Sequence, residues 1–201
     1  MSETLYCFIP DPKSSGHLFF NFVHIRNFLQ KRMSLAGVHL FWMFENTTHM
    51  KEQIKTDICT ALGCEPITLC PSSPVSMARE RHFWDNLPAM YDLCTDTTDT
   101  MCLNLQDFLR PHRTANFQCS RTITTNKWNQ KRGTRLPVTV NGREDYMNVN
   151  EIESLMGFRL HYTDACDLSI RQRFNFLAKG WCIPVVQKLL QTLIDILFHK
   201  G

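Results

Sequence analysis

The sequence predicts an α/β fold, and three observations carry that prediction. From Val38 to Phe44 the chain is apolar except for His39. That run is too short for a helix buried all round and lacks the alternation of a strand wetted on one face, so it reads as a strand covered on both sides. Helical spacing surrounds it: Leu18, Phe22, Ile25 and Phe28 or Leu29 recur between His17 and Lys31, and positions 186, 189, 190, 193 and 197 form a stripe within Val185 to Phe198. Short strand candidates, Pro66 to Leu69 and Arg79 to Trp84, lie between the helical stretches.

In chain order, Pro10-Asp11-Pro12 and Ser14-Ser15-Gly16 mark an irregular lead-in. In the first helix Phe19 and Phe20 widen the apolar stripe beyond one face, so the helix has to meet a second surface, in its own domain or on a partner subunit. Glu45 and Asn46 follow the central strand. The end of a dry strand is where open α/β sheets bind ligands, although the same pair would also suit the start of a loop. A helix from Lys51 to Leu62 ends at Gly63, a C′ glycine. Pro71-Ser72-Ser73-Pro74 is a turn, and the strand from Arg79 to Trp84 places Arg79 and Arg81 on one face. Residues 92–101, rich in Thr and Asp, form a surface loop, and Leu103 to Leu109 a short helix. Asn150 with Glu153 is a capping pair for a helix through Met156, closed by Gly157. Ser169 to Leu177 is another helix, and Pro184 starts the last.

At 201 residues, 43% apolar and 20% charged, the chain is an ordinary soluble one with room for one sizeable core. A net charge of +3 is too small to argue for nucleic acid, but its distribution is uneven: Arg110 to Asp145 holds eight Lys or Arg against two acids. No run of 18 apolar residues occurs and Met1-Ser2-Glu3-Thr4 does not open a signal peptide, so an intracellular protein with no membrane partner is expected. The nine cysteines include no Cys-x-x-Cys pair, and Cys59, Cys64 and Cys70 are loosely spaced, so no metal site is expected.

Within the basic segment, cations sit beside Thr122-Ile123-Thr124-Thr125 and polar residues such as Asn126, Asn129 and Gln130. Lys and Arg neutralise phosphates, Thr and Asn can reach base edges, and a flexible loop can order on binding. An ordinary solvated loop would have the same composition.

Six stretches, taken in order, resemble the C-terminal catalytic part of the vertebrate de novo, or type 3, DNA (cytosine-5)-methyltransferases. They are Leu18 to Phe22, Phe41 to Asn46, Arg79 to Pro88, Arg121 to Thr125, His161 to Asp164 and Trp181 to Val185. The resemblance runs from about Gly16 to the end. It implies the C-terminal portion of a class I S-adenosylmethionine-dependent, Rossmann-like methyltransferase fold with an inserted target recognition region. Residues 1–109 would be the second half of the core sheet, 110–148 the recognition region, and 149–201 helices returning to the core.

By position, the resemblance implies that Glu45 holds a flipped cytosine through its ring N3 and exocyclic amine, with Thr47 where the family has Val. Arg79 and Arg81 would be the Arg-x-Arg pair near the base, where a guanidinium offers a planar, permanently charged donor fork. Lys179, Gly180 and Trp181 would lie on the adenosine side of S-adenosylmethionine. Arg121, Thr124, Thr125, Asn126, Lys127, Lys131, Arg132 and Arg135 would face duplex DNA. Asn126 stands where family members carry Arg or Lys, which should weaken guanine contact or relax CpG preference. Phe20 would belong to a hydrophobic subunit interface, its partner aromatic being Ala61 here. Asp164 and Arg171 would belong to a polar interface, giving homo- or hetero-oligomers with type 3 subunits.

The family's Gly-rich cofactor loop and Pro-Cys-Asn nucleophile loop are not in these 201 residues, and Cys7 sits in Tyr6-Cys7-Phe8. Without a thiolate at C6, C5 is not nucleophilic enough to take a methyl group. The expectation is therefore part of a nuclear DNA methyltransferase, inactive as this isolated chain. The alternative is a catalytically silent accessory subunit that binds and stimulates an active one.

Overall fold

The computed structural model describes residues 16–70, 76–88, 90–94 and 103–198. The lead-in, Cys7, the Pro71 to Pro74 turn and most of the Thr- and Asp-rich loop lie outside them.

Among the described residues five α-helices, α1 (Gly16–Leu35), α2 (Glu52–Leu62), α3 (Val149–Leu155), α4 (Ile170–Lys179) and α5 (Ile183–Phe198), accompany eight short strands. The main sheet takes β1 (Met43–Thr47), β4 (Arg81–Asp85) and β2 (Ile67–Leu69) in the order β1-β4-β2, all pairs antiparallel. Successive residues of β4 face opposite ways. Trp84, fully buried, meets Phe19, Phe22 and Val23 of α1 and Ile54, Ile58 and Leu62 of α2, while Phe83 meets Leu189 of α5 with Ile67, Leu87 and Met90. The sheet is thus covered by α1 and α2 on one side and by α5 on the other.

β3 (Met77–Ala78) runs parallel to β6 (Ser120–Arg121), and β5 (Arg113–Ala115), β7 (Val138–Val140) and β8 (Arg143–Asp145) form a small antiparallel sheet. These pack with α3 and α4 around Met77, Leu105, Ile123, Val138, Ile152, Leu155, Met156 and Leu177.

Several expectations need correction. The strand expected at Val38 to Phe44 lies at Met43–Thr47, and every residue in it is only half-buried. Upstream, Asn86 replaces a ladder: its side chain accepts from Trp42 N at 2.8 Å and donates to Leu40 O at 2.7 Å. Glu45 and Asn46 therefore lie within the strand, not beyond it. Arg79 falls between β3 and β4 and belongs to neither.

The third helix is capped two residues earlier than expected, by Asn148 with Glu151 at N3. Glu153 is buried instead, 3.0 Å from Arg173. On α5, Leu189 is fully buried but Leu190 and Leu197 are exposed. Residues 113–145 are not a flexible loop. β7 and β8 are joined through Asn141 and Gly142, both with positive φ (50° and 76°), as the tight primed hairpin turn demands. Arg113 ties this sheet to α3 through Glu151 at 2.7 Å and Asp145 at 2.9 Å.

Candidate functional site

The pairing of β1 with β4 sets two charged side chains against each other. Glu45 lies opposite Phe83 and two residues from Thr47, the position facing Arg81, so the two side chains share a face as diagonal neighbours, and Glu45 Oε1 is 2.9 Å from Arg81 Nε. Both side chains are about one-fifth exposed (20% and 18%), so the pair is shielded but reachable from solvent. Arg81 Nη1 also donates to Glu80 O at 2.7 Å, which fixes the guanidinium plane. Leu69, Phe83, Val185 and Val186 supply apolar walls, and Arg79, Trp181 and Cys182 complete the surround. The space between them is about 20 Å³, room for one water molecule, so the ion pair closes the pocket.

Arg79 has a different role from Arg81. It is buried, and its guanidinium donates to three main-chain carbonyls: Ile123 O at 3.0 Å, Ala178 O at 3.2 Å and Gly180 O at 3.0 Å. Burial lowers its pKa to about 10, Arg81 adds to the drop, and Glu45 opposes it. The group stays charged at neutral pH, with its donors spent on the backbone.

Trp181 is 44% exposed at the pocket's rim, beside exposed Lys179 and half-buried Gly180. Its neighbour Cys182 is buried, and burial pushes its thiol up to about 11 despite a backbone hydrogen bond near Val185 and the charge of Arg79. It is a protonated, unreactive thiol at neutral pH.

The basic segment starts where β6 leaves β3. Thr122 Oγ1 donates to Ala78 O, and Arg121 Nη1 donates to Lys131 O at 2.7 Å. Thr124 donates to Asn126 O and accepts from Asn129, while Thr125 and Asn126 are exposed. Lys131, Arg132 and Arg135 are exposed too, and Arg132 and Arg135 pack on the Phe117 ring at 5.0 and 5.9 Å. The Lys127 side chain is outside the described residues.

Structure thus brings Glu45, Arg79, Arg81 and Trp181 to one place and joins the first turn of the basic segment to it through Ile123. Phe20 is half-buried with its ring edge-on to Phe19, and Ala61 gives its carbonyl to Arg26. Asp164 is engaged inside the chain, 3.3 Å from Arg173 and 3.2 Å from His161, and Arg171 is exposed on α4. Cys182, Phe117 and the Ile123 carbonyl carry no spacing signal that sequence reasoning could have used. A wider groove of about 530 Å³ along α2 is lined by Glu52, Lys55, Cys59, Cys64 and Glu65, and burial raises both thiols there. Among the described residues no three His, Cys, Asp or Glu side chains are grouped to hold a metal ion.

No protein-family model matches the chain. Its architecture matches solved methyltransferases. It superposes on S. pombe Dnmt2 methyltransferase with a TM-score of 0.62 at 14% identity, over 95% of this chain and 73% of that one. For the Entamoeba histolytica methyltransferase EhMeth the TM-score is 0.55 at 17% identity, over 77% of this chain and 62% of that one. The chain therefore has the α/β class I methyltransferase fold and spans only part of each neighbour.

Proposed function

We propose that this chain is the base- and DNA-binding portion of a DNA (cytosine-5)-methyltransferase of the de novo type, working in the nucleus on duplex DNA. The observation that carries the reading is the Glu45–Arg81 pair at 2.9 Å, set in an apolar-walled pocket beside Trp181. A cytosine drawn out of the stack presents an amine donor and ring N3 on one edge, and a carboxyl group can address both. As the base enters, its edge replaces Arg81 as the partner of Glu45. Arg81 then turns its charge to the oxygen of the ring, where electron density accumulates on attack at C6.

S-adenosylmethionine, when bound, supplies the methyl group. The residues here fit one side of it: the exposed Trp181 ring offers an aromatic wall for an adenine, and Gly180 holds extended backbone next to it (φ −73°, ψ 168°). The basic segment, with Lys131, Arg132 and Arg135 exposed, suits a phosphate backbone. Asn126 in place of a long cation weakens guanine readout.

A second reading, a catalytically silent subunit that binds and stimulates an active type 3 enzyme, is favoured by the thiol at the pocket. Cys182 is held protonated by burial, so it does not serve as a nucleophile. In that reading α1 around Phe20 and the α4 surface around Arg171 would meet the active subunit.

The test needs binding alone. A duplex with cytosine opposite an abasic site should bind more tightly than the same duplex with thymine there, and Glu45→Gln should remove the preference. Equal affinity of the unchanged protein for the two duplexes overturns the base-pocket assignment. Affinity should also fall steeply with salt, and the triple change of Lys131, Arg132 and Arg135 to Ala should reduce the slope of log K against log salt by about 2–3.

A further inference from the structure

Arg79 is the most heavily committed side chain at the site, and none of its commitments is to open space. Its Nη1 reaches Ile123 O, at the entry to the basic segment, and its Nη2 reaches Ala178 O and Gly180 O, at the turn that presents Trp181. These carbonyls belong to parts of the chain far apart in sequence, and Arg79, two residues before Arg81, reaches both. The neighbouring bonds run the same way. Met77↔Ser120 and Ala78↔Arg121 pair in a parallel ladder, Thr122 donates to Ala78 O, and Ile183 N donates to Met156 O to seat the start of α5. Without Arg79, the Ile123 carbonyl and the Ala178–Gly180 turn would have no shared partner among these bonds.

We infer that Arg79 is a positioning residue that couples the nucleic-acid-facing segment to the Trp181 turn, setting both in register with the Glu45–Arg81 pocket without touching base or cofactor itself. A planar guanidinium can span two carbonyl groups on one side and a third on the other, whereas a lysine ammonium is a point donor that cannot hold both segments at once. Ordering of the segment on DNA is thereby transmitted to the Trp181 turn through one rigid fork. The DNA arm of the test rests on the proposed function, and the hydrogen-exchange arm does not.

The experiment is amide hydrogen exchange on the whole chain, comparing the unchanged protein with Arg79→Lys and Arg81→Lys, alongside affinity for the abasic-site duplex. In Arg79→Lys, amides of residues 122–126 and 179–182 should exchange at least about tenfold faster together, since each loses a charge-assisted hydrogen bond. Those of α3 should keep their protection. Arg81→Lys should leave both segments unchanged. Duplex affinity of Arg79→Lys should fall about tenfold with the salt slope preserved, because no phosphate contact is lost.

Arg113→Lys is the control for a merely structural arginine: it should lower Tm and leave affinity and the 179–182 amides unaltered. Acceleration confined to one segment, or spread equally to α3, overturns the inference. If the unchanged protein binds no duplex while the two segments still loosen together, the proposed function fails and the coupling stands.

Discussion

Around α3 and α4, thirteen buried residues among those described form one cluster, and beside it lie two buried ion pairs, Arg173 with Glu153 and Arg113 with Glu151. The sheet β1-β4-β2 is held differently. Among the described residues its two faces share eight buried ones between them, α1 contributes none, and Leu18, Ile25 and Phe28 are more than half exposed. The candidate pocket lies at the seam of these two regions, with Glu45 and Arg81 from the thinly covered sheet and Trp181 and Cys182 from the edge of the dense core. A closely packed core is stiff, while a half-covered sheet has fewer contacts to lose on deformation. The difference places rigid alignment on one side of the pocket and the freedom to open it on the other.

The hardest blow to the dense region should come from Arg173→Met. It leaves Glu153, fully buried, without its cation, although His161 N and Thr163 N still donate to it. Breaking a buried pair from one side costs about 3–5 kcal/mol. Urea unfolding should show that loss, and a cost below 1 kcal/mol would mean that the two regions do not differ in stiffness as argued. Next, Ile152→Ala should cost about 2–4 kcal/mol by removing a fully buried side chain, whereas Phe28→Ser on exposed α1 should change stability by less than about 0.5 kcal/mol. Equal losses at the two positions would break the comparison.

How far the sequence revealed this arrangement differs between the same two regions. The members of the pocket were named by the resemblance and not by a local pattern that pairs them; the residues themselves announced only two strand-forming stretches. Glu45 and Arg81 sit on adjacent antiparallel segments, and an acid and a base there meet. The helix ends at Gly63 and Ser169 were legible locally, because glycine tolerates φ of 75° and a serine hydroxyl accepts from Gln172 N.

The dense region was misread for a physical reason in each case. Asn148-Val149-Asn150-Glu151 and Asn150-Glu151-Ile152-Glu153 present the same capping pattern two residues apart, and the choice between them is made by Arg173, twenty residues on. The hairpin at Asn141-Gly142 did carry its signal, an Asn-Gly between Val138–Val140 and Arg143–Asp145, but the surrounding charge made the stretch resemble a loop. Arg79 was placed with Arg81 because alternation put them on one face. The strand starts later, at Arg81, so Arg79 turns inward to carbonyls that no local pattern announces.

The sheet region can be tested by pH. Asp85, at the end of β4, has its pKa raised to about 6 by burial, and a hydrogen bond from Leu87 N pulls it back only in part. A carboxyl whose folded pKa lies above its unfolded value near 4 binds more protons in the folded state. Its contribution therefore favours folding below pH 4 and is lost as pH rises through 4 to 6. Asp85→Asn keeps an oxygen for Leu87 N and removes the charge. It should stabilise the protein at pH 7.5 by about 1 kcal/mol, after discounting for partial exposure, and have no such effect at pH 4. A Tm gain equal at both pH values would show that the charge is not what the sheet end resists.

The smallest effect separates the hairpin's fold from its charge. Arg135 Nε is 3.5 Å from Glu144 Oε1 with both side chains largely in solvent, and such a pair contributes at most about 0.5–1 kcal/mol. Glu144 Oε2 also accepts from Leu136 N at 3.0 Å, and Gln at 144 can keep that bond through its carbonyl. Glu144→Gln should therefore leave Tm within a degree or two while freeing Arg135 from its counter-charge, so that duplex affinity rises slightly at low salt and the gain disappears at high salt. If Glu144→Gln instead unfolded residues 113–145, the small sheet would depend on that exposed pair, and the dense core beneath it would not be the element holding the basic segment in place.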